Sequence, residues 1–288
     1  MSHFVVIVIG GNVEAQLAPF HEYECTGIDD EYVVDIEQDV GELRREYEAR
    51  DMDSYKDMPF GKWIKDWHGY QVNVAADGEV TRVWRHTNPN AKWDWWVVGG
   101  RWTGFFKGKP GVTGEVGRPG IMTERAEPGQ FDALRKGDID LEGTRAAAGL
   151  EAAERFDKIH AAIGANPWPE PWLFFVKKHG DDEAGIALAR AEYGAQPGIA
   201  ALQKADLYPW FGEVPGPGCR KLEIQKARDN ALVPYAFVRD GKWVEKGEMG
   251  WWGMSTDKVE PSQWAAEFNK LLDELPDDTV LTAVDCHI

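Results

Sequence analysis

Cysteine is scarce in this sequence: three residues, Cys25, Cys219 and Cys286, at wide spacing and with no CxxC pair. An odd, scattered set provides neither a disulfide framework nor a zinc ribbon, and it fits thiols kept reduced in a cytosol. Long apolar runs are missing too. The opening SHFVVIVI carries a six-residue apolar stretch with no basic segment before it, and nothing approaches the ~20 apolar residues of a membrane span. The expectation is a cytoplasmic protein with no targeting step and no membrane partner.

Positive charge is in deficit, with 32 Lys and Arg against 49 Asp and Glu and a formal net charge of −17. Binding along a nucleic acid needs a clustered positive field, so bulk nucleic acid is excluded as a partner. The 43% hydrophobic and 28% charged fractions are those of an ordinary folded chain. Tryptophan is the exception: there are 14. Indole is costly to expose and has one N–H to satisfy, so it collects in cores, interfaces and binding sites.

The run Phe4 to Ile9, stopped by Gly10-Gly11, predicts a buried central strand. Within the acidic stretch 29–57, Val33, Ile36, Val40, Leu43 and Tyr47 recur every three or four residues and predict an amphipathic helix over 33–50. Asp77-Gly78, Gly99-Gly100 and Asp240-Gly241 each stand between strand-like runs and predict three β-hairpins, because tight two-residue turns need positive φ. Residues 107–130 are rich in Gly and Pro and predict an extended loop. Segments 144–163 and 181–206 have helical spacing, with a short strand expected at Trp172–Val176 between them. Pro-Gly-Pro-Gly at 215–218 is expected to end that section and return the chain to the sheet. Pro261 opens a helix whose stripe is Trp264, Phe268, Leu271, Leu272 and Leu275, stopped by Pro276. Thr279–Val284 is a final strand, placed most simply beside the first. The fold class that follows is α+β: a mixed, largely antiparallel sheet from residues 1–130 and 223–288 with covering helices, and a mainly helical insertion at 131–222.

The distinctive segment is TRVWRHTNPNAKWDWWVVGGRWTGFFKGK, residues 81–109, which holds six basic residues against a single acid, Asp94, and five Trp. On a strand, Trp93 and Trp95 would share one face and Trp96 the other. Indole faces together with Arg85, Arg101 and Lys92, the amides of Asn88 and Asn90, and His86 could stack a base and hold phosphate or ribose oxygens. Trp93, Trp95, Trp96 or Trp102 would supply the stack. The bland alternative is that the Trp residues fill a core and the basic residues pair with the acidic stretch. Trp251 and Trp252, between Gly250 and Gly253, form a second candidate platform.

The strings NPNAKWDWWVVGGRWTGFFK, GEMGWWGM and DDTVLTAVDCHI resemble a family of proteins from tailed bacteriophages and prophages, and the resemblance runs over most of the chain. It carries over no activity and no residue role. It implies a setting, an accessory protein in a bacterial host cytoplasm during infection. There, the expected function is sequestration of a small nucleotide-type ligand, such as a cyclic nucleotide or ADP-ribose-type immune signal, with no cofactor. A homo-oligomer is compatible with this reading.

Two alternatives stand beside it. One is a nucleotide-degrading hydrolase using His86, the most suggestive of seven scattered His, although no HxE, HExxH, GxSxG or P-loop pattern accompanies it. The other is an acidic inhibitor of a host protein, against which the basic island counts. Asp285 and His287 alternate on the last strand and share a face, with His3 on the neighbouring first strand. That spacing suits a metal, but two or three such residues at a chain end read more simply as the finish of an edge or capped strand. Gly10-Gly11 lacks the GxGxxG spacing of a dinucleotide-binding turn. Neither a catalytic set nor a metal site is expected from these patterns.

Overall fold

The computed structural model describes residues 2–50, 57–121, 125–208, 214–249 and 255–288. Its centre is a seven-stranded mixed sheet. The spatial order is Lys242–Glu245, Ala236–Arg239, His3–Ile9, Val280–His287, Trp95–Gly100 and Arg118–Pro119, with Ala133–Arg135 also paired to Val280–His287. His3–Ile9 runs parallel to Ala236–Arg239, as Trp95–Gly100 does to Arg118–Pro119, and the remaining pairs are antiparallel. The expected α+β class is the one observed. First and last strands lie side by side, with His3 opposite His287 and Ile9 opposite Leu281. Asp285 and His287 therefore lie on a central strand, flanked on both sides, and not on the edge or capped strand that a chain end suggested.

Strand alternation sends two apolar sets to opposite faces. Val5, Ile7, Ile9, Leu281 and Ala283 pack under Phe268 and Leu272 of the helix Pro261–Glu274 and Leu275 at its C-terminal cap. Phe4, Val6, Val8, Val284 and Cys286 pack against Leu17, Phe20 and Trp93. Glu260 caps that last helix by accepting from the Ser262 and Gln263 amides, and Pro261 stands at its first turn, as the stripe and the proline predicted. Among the described residues, no helix is long and apolar enough to cross a membrane.

A second, three-stranded sheet of Val34–Glu37, Val80–Thr87 and Gln71–Val74 has its own core of Leu43, Phe60, Trp63, Ile64, Val80 and Val83. The hairpin through Asp77-Gly78 forms here, and the one through Asp240-Gly241 forms on the main sheet, where both turn residues have positive φ, 53° and 68°. The helix expected over 33–50 is shorter, Val40–Ala49, capped by Asp39. Val34–Glu37 is a strand because it pairs with Trp84–Thr87, a long-range partner that local periodicity does not register.

Two further expectations are corrected. Trp172–His179 is a helix, not a strand, its Phe175 buried against Ala189, Tyr193 and Ile199 in a helical layer. After the Pro-Gly-Pro-Gly segment the chain first forms the helix Arg220–Asn230 against Leu141–Ile163, and only then rejoins the sheet.

Gly99-Gly100 is not a hairpin turn. Trp95–Gly100 pairs with the last strand, and the two glycines, at φ 84° and 57°, carry the backbone over two carboxylates. A Cβ on Gly99 would stand 2.7 Å from Asp132 Oδ2, and one on Gly100 would overlap Asp285. Asp132 is fully buried and accepts the amides of Gly104 (2.6 Å) and Gly117 (2.7 Å), so it pins the loop after this strand to the sheet. Residues 107–130 carry little regular structure, in line with their Gly and Pro content.

Candidate functional site

The basic and aromatic residues of 81–109 divide between the two sheets and do not form one surface. Arg85 is on the small sheet, its guanidinium on Glu24 Oε1 at 2.5 and 2.8 Å. Desolvation would raise Glu24, but hydrogen bonds from Thr87, its own backbone and Arg85 outweigh it and lower its pKa. His86 gives Nδ1 to Asp35 at 2.7 Å, has Nε2 3.4 Å from Asp29, and meets Tyr23 edge-on. The Asp35 hydrogen bond holds its pKa above the ordinary value. Lys92 is paired with Glu245 at 2.8 Å.

Asn88 is buried and structural: its amide donates to the Pro19 and His21 carbonyls and its oxygen accepts from the Asn90 amide, while Asn90 itself is exposed. Trp93 is buried with Nε1 on the Leu17 carbonyl, and Trp96 packs edge-on against it at 6.5 Å. Trp93 and Trp96 thus share a face and Trp95 takes the other, contrary to the expected alternation, because the strand begins only at Trp95. Trp102 packs on the core under the last helix. Trp251 and Trp252 lie outside the described residues.

Trp95 and Arg101 remain. Trp95 is 42% exposed and Arg101 is exposed, its guanidinium making no ion pair among the described residues. Both belong to the strand beside Val280–His287 or its immediate continuation, and register explains what surrounds them. His3, His287 and Trp95 are successive cross-strand neighbours, so their side chains project from one face at one end of the sheet. Here the apolar pattern ends and polar chemistry replaces it.

The Trp95 ring lies 16° from parallel to His287, centroids 5.3 Å apart, and His3 meets both rings edge-on, at 5.3 Å from Trp95 and 4.9 Å from His287. His287 Nδ1 is 2.7 Å from Asp94 Oδ1, and His3 Nδ1 is 2.9 Å from Asp285 Oδ1. Asp285 is buried, and its other oxygen accepts the Arg101 amide at 2.9 Å. Two carboxylate-backed imidazoles are therefore side by side against an exposed indole.

Behind Asp94 the polar cluster continues. Ligand atoms of Glu22, Cys25 and Asp94 lie within 4.8 Å of one another, a donor set able to meet a cation. The Glu22 amide donates to the Trp93 carbonyl and the Asp94 amide to the His287 carbonyl, which anchors these residues to the sheet. Cys25 is exposed, yet desolvation of its sulfur, followed by Glu22 and Asp94, pushes the thiol up to about 11.

Glu22 and Cys25 gave no signal in sequence because Asp94, which completes the set, comes from a distant segment joined to theirs only by the fold. The legible sign was Asp285 and His287 themselves: polar side chains interrupting an otherwise apolar strand. No family model, curated protein or solved structure matches the chain.

Proposed function

We propose that this chain binds and sequesters a small nucleotide-type ligand at the polar end of the sheet, with the base on Trp95 and anionic oxygens near His3, His287 and Arg101. One observation carries the reading: a large indole, 42% exposed, is held nearly parallel to a buried imidazole instead of being folded into either core. An indole fixed in place has already lost its rotamer freedom, so a stacked base gains most of the ~1–3 kcal/mol such contacts provide. Arg101, whose amide is anchored on Asp285 and whose guanidinium makes no ion pair among the described residues, suits the phosphate oxygens of the same ligand.

Compared with the sequence reading, the binding set contracts to Trp95 and Arg101 and gains His3 and His287. Arg85, His86 and Lys92 support it less, since acidic side chains already occupy them. In the bacterial-host setting that the phage resemblance implies, the ligand would be a nucleotide signal.

The test is a thermal-shift series with cyclic dinucleotides, cyclic oligoadenylates and ADP-ribose derivatives, followed by chromatography of each compound. A stabilising shift with at least one of them, lost in Trp95→Ala, is expected. A shift that Trp95→Ala leaves unchanged would remove the site, and no shift with any would remove the reading.

A further inference from the structure

Away from the Trp95 end of the sheet, the helices Leu141–Ile163, Arg220–Asn230 and Pro261–Glu274 line a cleft of about 380 Å³, towards the small end of ordinary ligand sites. In its first two turns the last of these helices presents only Ser262, Ala265 and Ala266 to the cleft, small side chains that leave the space open. The charged lining carries both signs, Arg145, Lys226 and Arg228 against Glu142, Asp229 and Asp273.

Its arginines are held in place without being saturated. Arg145, mostly buried, makes one close hydrogen bond, from Nη2 to Asn269 Oδ1 at 2.9 Å, while its contacts with Glu142 and Asp273 are long, 3.4 and 3.5 Å. Asn269 is fixed in turn, its amide donating to the carbonyls of Asp229 at 2.7 Å and Ala265 at 2.8 Å. The stem of Arg228 lies over Gly149, where a Cβ would stand 2.9 Å from Arg228 Cγ, and its Nη2 reaches Glu142 Oε2 at 3.2 Å. One exposed carboxylate thus bridges guanidinium groups from two helices, at distances beyond the about 2.7–2.9 Å of a strong charge-assisted bond. A guanidinium offers five donors, so both arginines keep capacity for a ligand. Asp229 accepts from Gln225 Nε2 at 2.7 Å and has no cation partner among the described residues.

We infer that this cleft is a second binding site, for a small zwitterionic carboxylate of the α-amino acid class. The ligand carboxylate takes the place of the Glu142 carboxylate across Arg145 and Arg228, and the ligand ammonium group meets Asp229 or Asp273. An exposed ion pair is a weak competitor, so Glu142 yields to a ligand that brings the same group together with a second point of attachment. With Glu142 turned to solvent, Arg145, Lys226 and Arg228 face Asp229 and Asp273, one positive charge in excess. That excess suits a carboxylate, while the two remaining acids attract an ammonium group and disfavour a dianionic phosphate.

The experiment is a thermal-shift series of the full chain with the standard amino acids. Calorimetric titration follows with the one that gives the largest shift, beside the matching acid without its amino group and inorganic phosphate. A stabilising shift with at least one amino acid is expected, and the two comparison probes should bind about tenfold more weakly or less. Glu142→Ala removes the competing carboxylate and should tighten binding about two- to fivefold, whereas Arg228→Gln should weaken it about tenfold. A merely structural bridge would lower the melting temperature of Glu142→Ala and leave its affinity unchanged. Glu142 is exposed, so its variant keeps the test valid if Arg228→Gln unfolds. Trp95→Ala should leave this binding as it is, so that failure here and failure of the nucleotide reading are separate results. No shift with any amino acid would overturn the inference. So would unchanged affinity in Glu142→Ala, equal affinity for phosphate or the acid without its amino group, or binding lost in Trp95→Ala.

Discussion

Replacing Gly100 by alanine probes the backbone that carries the site. Gly100 sits at φ 57°, a conformation that costs an alanine ~1–2 kcal/mol. Its new Cβ would also overlap the Cβ and carboxyl of Asp285, so the strand must shift, at ~1–3 kcal/mol for overpacking of this kind. The shift would stretch the bond from the Arg101 amide to Asp285 Oδ2, which adds about 1 kcal/mol. The sum is about 3–6 kcal/mol.

Gly69→Ala separates the two causes, because Gly69 has φ 70° but nothing within 4 Å of the place where a Cβ would stand. It should cost only the ~1–2 kcal/mol of the dihedral. Urea unfolding of both variants measures the difference, and at m-values of a few kcal/mol per molar the Gly100→Ala midpoint should fall about 1 M below that of Gly69→Ala. Equal midpoints would refute the claim that close approach to Asp285, and not the dihedral alone, requires glycine at this position.

Asp132→Ala leaves the amides of Gly104 and Gly117 without their buried acceptor, and a loss of roughly 2–5 kcal/mol in calorimetric unfolding is expected; an unchanged melting temperature would show that the loop holds without it. His86 has a folded pKa raised above its ordinary 6.5 by Asp35, so its contribution is fully present below that ordinary value and is lost as pH rises through the folded one. His86→Ala should therefore destabilise the protein more at a pH of about 5.5 than at about 8.5 in urea titrations, and an equal loss at both would contradict the Asp35 pairing. Cys25, exposed but with its thiol pushed up to about 11, should react with iodoacetamide in mildly alkaline buffer far more slowly than a free thiol, and faster in Glu22→Gln. Labelling of Cys25 at the free-thiol rate would show that its surroundings do not suppress the thiolate.

Local signals gave the elements whose cause is local. The stripe of 261–275 with its Pro start, the Asp-Gly turns at 77–78 and 240–241 and the apolar runs at both ends carry their own periodicity or turn chemistry, and each formed as read. Elements decided by distant partners were misread. Val34–Glu37 becomes a strand only because Trp84–Thr87 pairs with it, and Trp172–His179 a helix by packing on Tyr193 and Ile199. At Gly99-Gly100, sequence shows a need for positive φ but not whether it serves a turn or a close approach.

The site was legible in halves. The alternation of Asp285 and His287, with His3 on an adjacent strand, put three of its residues on one face. Their partner Asp94 stands 193 residues from His287 in the chain, and Glu22 farther still, so no local pattern joins them. The Trp-rich segment pointed to Trp95 and Arg101. What it could not show was that acids from other segments would occupy Arg85, His86 and Lys92.

The most direct measurement is calorimetric titration of the chain and its Trp95→Ala variant with the nucleotide that gives the largest thermal shift. Trp95 is exposed, so its removal should leave folding intact and weaken binding roughly 5–150-fold, the equivalent of ~1–3 kcal/mol for one lost stack. Equal affinity in the two proteins would contradict the placement of the ligand at this end of the sheet.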